Sequence, residues 1–245
     1  MPDYRRLAVA GPYFALDTAT APTDTPPPGY RPLRELYATG SDSLLAARVR
    51  EVARRLGTAE PRVAASILHL GLAARFCSVG LGAAVLLGTV PELDPDRAHV
   101  RIPEQGPIEL WTPQRPQPAG EDASPGEAGP DRLPELADRL HRVLVQGQLA
   151  PLAVAVRAAV PLSERLLDGN AASALAGTLR MLRPHAAPGR AEALVAHLLE
   201  RPPLAGTGTL HAGGFRRSSC CLYYRVGPAA GVCGDCCFTR PPRRS

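Results

Sequence analysis

From position 41 onward, apolar residues recur at helical spacing. Ser41-Asp-Ser43 is a helix-capping cluster. Leu44, Leu45, Val49, Val52 and Leu56 follow at intervals that share one face, and Gly57 closes the run. Glu60-Pro61 opens a second helix with Val63, Ile67, Leu70 and Ala74 as its stripe, continued over residues 79–88 by a Gly/Ala-rich apolar stretch that permits close backbone approach. The two predict a buried helical hairpin. The period changes to two at His99-Val-Arg-Ile102 and Ile108-Glu-Leu-Trp111, which flank Pro-Glu-Gln-Gly-Pro and predict a β-hairpin. Helical spacing returns after Asp131, with Leu133, Leu136, Leu140, Val143 and Leu144 on one side as far as Val145. Leu149 to Val160 is apolar throughout and reads equally as helix or strand. Ser163 starts a helix running toward Leu182, and Gly189 to Leu199 forms the last, ended by Arg201-Pro-Pro. Gly169-Asn170 falls inside the Ser163 helix, where a glycine costs about 1 kcal/mol relative to alanine. A kink, a break or a close approach by another group is therefore implied there, with two helices meeting at a turn as the preferred reading.

The remaining stretches carry little periodicity. Leu7 to Ala10 reads as a short strand, and Thr18 to Pro32 is a Thr/Pro run read as an arm over the body. Residues 112–131 are Pro, Gly, Gln and acidic residues with almost nothing apolar, a flexible excursion. The expected fold is mainly α with a small β component (α+β), a helical body carrying a C-terminal Cys-rich segment. The division expected is a helix-rich body over 1–205 and a segment over 206–245.

At 245 residues the chain fits one domain with a small appended lobe. Only 4% of residues are aromatic, so the core is built chiefly from Leu, Ala and Val. Every basic residue is arginine, which reflects composition bias more than recognition. The net charge of +5 is local: His211 to Ser245 holds six Arg and one Asp, and the remainder is neutral. Pro and charged residues interrupt the first thirty positions, so no secretory leader is expected. The longest uncharged run in the apolar middle, Phe76 to Pro91, is shorter than the roughly 20 residues of a spanning helix. A cytoplasmic protein without an integral membrane span is expected, in a compartment where clustered thiols bind metal more readily than they pair.

Five of the six cysteines fall between positions 220 and 237. Cys233 and Cys236 form a C-x-x-C, and Cys220-Cys221 supplies an adjacent pair across an eleven-residue loop. Four soft thiolates suit zinc or an iron-sulfur cluster. An adjacent pair is awkward for a zinc ribbon, because neighbouring side chains on extended backbone point to opposite faces. Spacing alone leaves a cluster, zinc and a disulfide open, in that order. Cys77 lies far upstream and reads as a small buried hydrophobe.

The run Arg216-Arg-Ser-Ser-Cys-Cys-Leu-Tyr-Tyr-Arg225, followed by Cys233-Gly-Asp-Cys236, resembles the C-terminal cluster segment of FhuF-like ferric-siderophore reductases. Leu167 to Leu175, Ala65 to Arg75 and Leu81 to Ala84 resemble further stretches of that family, so the likeness spans roughly 41–237. It implies a 2Fe-2S cluster held by Cys220, Cys221, Cys233 and Cys236, with Cys237 lacking a family counterpart. It also implies single-electron reduction of a ferric siderophore, hydroxamate in type, releasing Fe(II). No phosphate-binding or dinucleotide fingerprint is present, so the electrons are expected from a ferredoxin-like or flavin-dependent donor protein. Arg216, Arg217 and Arg225 would raise the cluster potential or steer an acidic donor.

Two other classes compete: a zinc-stapled interaction or nucleic-acid-binding module, and an iron-sulfur redox or iron sensor. The nucleic-acid reading is weakened by the lack of stacking aromatics among the tail arginines. His69 reads as a core histidine or a siderophore contact, and Trp111 as packing or pocket lining. Asn170 would bond a cluster sulfur or a loop carbonyl, and Asp235 would shape the turn between ligands. Tyr223 and Tyr224 would pack on the cluster or face the siderophore.

Overall fold

The computed structural model describes residues 3–21, 24–113, 133–212, 214–227 and 230–242. The expected excursion (apart from residues 112 and 113), the Asp131 cap and the Arg243-Arg244 end lie outside them. Helix dominates and the strands are short. Helix α1 (Leu44–Leu56) begins at Ser43, whose hydroxyl accepts from the Ala46 N–H at 3.2 Å, and stops at Gly57 in the left-handed region with φ 61°. Helix α2 (Pro61–Leu86) is apolar on every face and buried along most of its 26 residues, the pattern of a core helix. By length and composition α2 could cross a membrane, but 72% of its most apolar stretch is buried within this protein.

Helix α3 (Leu133–Leu140) runs into a π-helical stretch (His141–Leu149) and then helix α4 (Ala150–Ala159), so the ambiguous Leu149–Val160 run is helical up to Ala159. Helix α5 (Glu164–Leu182) starts at Ser163 and packs along α2, and α6 (Arg190–Leu199) closes the body. The preferred turn at Gly169-Asn170 does not form; of the readings left open, the close approach by another group is the one present. Both residues are buried inside a continuous helix, and the helix penalty of glycine is outweighed by the contact it permits, described below.

A four-stranded sheet has the order β1-β4-β3-β2, with β1 at Asp17–Thr18, β2 at Arg31–Pro32, β3 at His99–Arg101 and β4 at Glu109–Thr112. Strands β3 and β4 are the expected hairpin, with Val100 opposite Leu110. Trp111 is buried edge-on against His99, so it packs. Tyr4–Ala10 forms a 3₁₀ turn where a strand was expected. Its buried residues, Tyr4, Leu7 and Ala10, recur every third position, the period of that helix, and Asp3 caps it. The Thr18–Pro32 run joins the sheet at its two ends, Thr18 beside Thr112 and Arg31 opposite Val100, and the stretch just before it is fastened from within. Buried Arg75 of α2 donates to the carbonyls of Tyr13, Ala15 and Ile108, and burial pushes its guanidinium down to about 10.

Candidate metal centre

The Gly-rich stretch before the cysteines is a hairpin. Strand β5 (Gly208–His211) pairs with β6 (Gly214–Arg217), placing Leu210 opposite Phe215. Side chains of β6 alternate. Phe215 turns inward onto Ala172 and Ala176 of α5, Arg216 faces solvent, and Arg217 turns inward again. That period of two was the one signal in the sequence that set Arg217 apart from its neighbour.

Arg217 is only 2% exposed. Its Nε donates to the Ser219 carbonyl at 3.0 Å and its Nη2 to the Leu166 carbonyl of α5 at 3.1 Å. Nη1 is buried without a hydrogen-bond partner among the described residues. No carboxylate answers this buried cation in those bonds. Its charge adds to the lowering of the Cys221 thiol, which the Cys233 hydrogen bond leads, and only partly offsets the raised Cys237. A buried charge needs a counter-charge, which cysteines in their thiolate form would supply.

Gly169 is where the segment meets α5. A Cβ there would lie 3.0 Å from Arg217 Nη2 and closer still to Ser219 Oγ. Ser219 in turn donates to the Arg165 carbonyl at 3.0 Å. One turn of α2 completes the seat: Ser66 Oγ donates to the Cys221 carbonyl at 2.7 Å, and Asn170 donates to the Ser66 carbonyl at 3.0 Å. Asn170 therefore holds the helix group that holds Cys221, rather than touching a sulfur or a loop carbonyl. Beyond the cysteines, Arg225 grips Glu60 at the start of α2 with contacts of 3.0 and 2.8 Å.

The second pair is anchored through the residue between its cysteines. Asp235 is buried, accepts from Ser173 Oγ and pairs with Arg180 at 3.1 Å, while its carbonyl accepts from the Arg217 N–H at 3.0 Å. It shapes the turn, as expected, by fastening it to α5. The Cys236 N–H donates to the Cys233 carbonyl at 3.1 Å.

The two pairs meet. Cys221 Sγ lies 3.3 Å from Cys233 Sγ. Leu222 takes a left-handed backbone, φ 65°, which turns the chain after the adjacent pair and aims its N–H at Cys220 Sγ, 3.3 Å away. Such a conformation costs a non-glycine residue roughly 1–2 kcal/mol. It also answers the difficulty of an adjacent pair, since only Cys221 is turned inward while Cys220 stays half-exposed. The Phe238 N–H donates to Cys236 Sγ at 3.4 Å. The hydrogen bond with Cys233 pushes Cys221 down to about 6, and the same bond pushes Cys233 up. Burial, together with the charges of Cys221, Cys237 and Cys236, pushes Cys220 up to about 11. Cys237 is raised by its own burial and by Cys236. Among the described residues, no three His, Cys, Asp or Glu groups converge as a single-ion site would require.

Residues 74–216 match the family described as ferric iron reductase FhuF-like transporter, and residues 217–238 match the FhuF 2Fe-2S C-terminal domain. The chain belongs to the FhuF-like ferric iron reductase family. Comparison with curated proteins finds no match. The reductase is an oxidoreductase whose cofactor is a 2Fe-2S cluster, and the donor set fits one. It offers paired thiols, one already acidic, N–H groups aimed at two sulfurs, and a buried guanidinium awaiting negative charge.

The other singled-out residues fall apart from this set. Cys77 is wholly buried in the body, and burial pushes its thiol up. His69 lies one turn beyond Ser66 on α2. Tyr224 packs edge-on against Phe238, while Tyr223 stays 42% exposed. The serines at 66, 173 and 219 were missed because a lone serine carries no pattern until its partner is placed.

Proposed function

We propose that Cys220, Cys221, Cys233 and Cys236 hold the cluster, and that the reductase delivers single electrons to ferric hydroxamate siderophores in the cytoplasm, releasing Fe(II). Residues 206–245 act as the cluster-binding segment on a body formed by 1–205. The observation that carries the reading is the meeting of the adjacent pair with the C-x-x-C beside the buried charge of Arg217. When bound, a 2Fe-2S centre supplies one electron at a time, which matches the Fe(III) to Fe(II) step of the substrate. Hard oxygen donors hold Fe(III) more strongly than Fe(II), so reduction loosens the chelate.

The chain's own part is positional and electrostatic. Arg217 lowers the energy of negative charge at the sulfurs, and the Leu222 and Phe238 N–H groups do the same at Cys220 and Cys236. Arg225 and Asp235 clamp the two ends of the segment to α2 and α5. Exposed Arg216, Tyr223 and Phe238 give the segment a basic and aromatic outer face, suited to an acidic ferredoxin-like or flavin-dependent donor. The test is anaerobic. Dithionite-reduced protein is mixed with increasing ferrioxamine, and cluster absorbance is followed. Reoxidation at a rate that rises with chelate concentration is expected. A rate independent of chelate would make the protein a sensor.

A further inference from the structure

Outside the cysteine segment, the most built feature is a half-open cavity of about 180 Å³ between α2, the π-helical stretch, α4 and α5. Its walls are aliphatic, including Val145, Leu149, Ala153, Leu167 and Leu204. His69 also lines it. That side chain is 1% exposed, and neither ring nitrogen has a hydrogen-bond partner among the described residues. A buried polar group left unpaired carries an uncompensated desolvation penalty. A bound molecule that pairs with the imidazole removes it.

Resting on the reductase reading above, we infer that this cavity is the subsite for an uncharged aliphatic arm of the ferric chelate, with His69 pairing to an amide-like group of that arm. Size sets the first limit. A cavity of about 150 Å³ holds a molecule of benzene's size, so this one takes a short chain and not a whole chelate, and the iron stays outside. Charge sets the second. Complete burial, with the nearby Arg217 cation, keeps the imidazole neutral, and that same Arg217 charge disfavours a cationic group at the floor. Arg157, Glu164 and Asp168 line the mouth of the same cavity, and because Arg157 pairs with Glu164, Asp168 is the charge left over, so an anion is disfavoured there. A neutral imidazole offers one donor and one acceptor, the complement of an amide.

Position ties the cavity to the reaction. Ser66, one turn before His69, holds the Cys221 carbonyl, and Gly169, next to Asp168, touches the Ser219 and Arg217 side chains. An arm seated in the cavity therefore fixes the chelate against the helix pair that carries the cysteine segment. Fixing a reactant beside its reducing centre is how binding energy at a remote group accelerates a reaction.

The experiment compares two chelates with the same tris-hydroxamate coordination: ferrioxamine acetylated at its pendant amine, so that its free aliphatic arm is neutral and ends in an amide, and tris-acetohydroxamate, with no arm. Binding of their redox-inert gallium forms is measured by calorimetry on the cluster-loaded protein, and reduction of the ferric forms by anaerobic reoxidation. Ala153→Phe, which fills the cavity, and His69→Leu are expected to weaken gallium ferrioxamine binding at least tenfold. They should leave acetohydroxamate reduction unchanged, and His69→Gln should keep most of the affinity. If the variants bind and reduce both chelates as the wild type does, or weaken both alike, the subsite is wrong. If reduced wild type ignores both chelates, the reductase reading itself fails, a result these variants do not produce. Should Ala153→Phe not fold, His69→Leu decides, since it swaps an unpaired buried imidazole for an apolar side chain.

Discussion

Substituting Gly169 by alanine tests whether α5 was shaped to receive the cysteine segment. In an unconstrained helix the change gains about 1 kcal/mol. Here the new methyl group would lie 3.0 Å from Arg217 Nη2 and closer to Ser219 Oγ. Ser219 can rotate away, losing its 3.0 Å bond to the Arg165 carbonyl, at a cost of about 1 kcal/mol. The guanidinium has no such freedom, being buried and tied to two carbonyls. Losing one bond from a charged donor costs about 1.5–3 kcal/mol. Against the helix gain, the net loss is about 1.5–3 kcal/mol, a fall in Tm of roughly 5–10 °C for a chain of this size. The strain falls on the segment that holds the cluster, so iron per chain should drop with it. Gly177 lies on the same helix with its nearest contact, Arg180 Nη2, at 3.8 Å. Gly177→Ala should therefore be neutral or stabilising by up to about 1 kcal/mol. Scanning calorimetry and iron analysis of both variants decide the matter. A Gly169→Ala protein as stable and as iron-rich as wild type would refute the reasoning.

Serine at Cys233 should leave the purified protein without cluster colour or labile sulfide, whereas serine at Cys237 should retain both; the opposite pattern would move the ligand assignment. Burial, reinforced by Arg217, holds His69 down at about 3 against an ordinary 6.5, so its neutral form contributes stability above pH 6.5 that is lost as pH falls toward 3. Between pH 7 and 5 that loss is about 2 kcal/mol. Urea denaturation at the two pH values should show it in wild type and not in His69→Leu, and equal losses in both would rule out this origin.

Much of this protein was legible in its sequence because the relevant signals are local. The caps at Ser43 and Ser163, the αL stop at Gly57 and the β3–β4 alternation each act over a few residues, so they read correctly without the fold. The adjacent cysteines and the C-x-x-C are likewise chain-local, and they pointed to a soft-donor centre while leaving cluster, zinc and disulfide open. The errors came where distant chain decides. Gly169 looked like a helix break because its penalty is local while its compensation, Arg217 and Ser219, lies some fifty residues away. Leu7–Ala10 looked like a strand, but the body beneath it required burial at every third position of a Tyr4–Ala10 helix. Ser66, Ser173 and Asn170 have no meaning until two helices and the C-terminal segment are brought together.

By itself, then, the sequence determined that this is a helical protein with a soft-donor centre near its C-terminus, because hydrophobic period and thiol spacing are properties of short stretches. Only the tertiary structure decided which arginine of three is buried beside the sulfurs, which glycine makes room for it, and that His69 lines a cavity with no hydrogen-bond partner among the described residues. Burial and long-range pairing depend on the packing of elements far apart in the chain, and no local pattern encodes them.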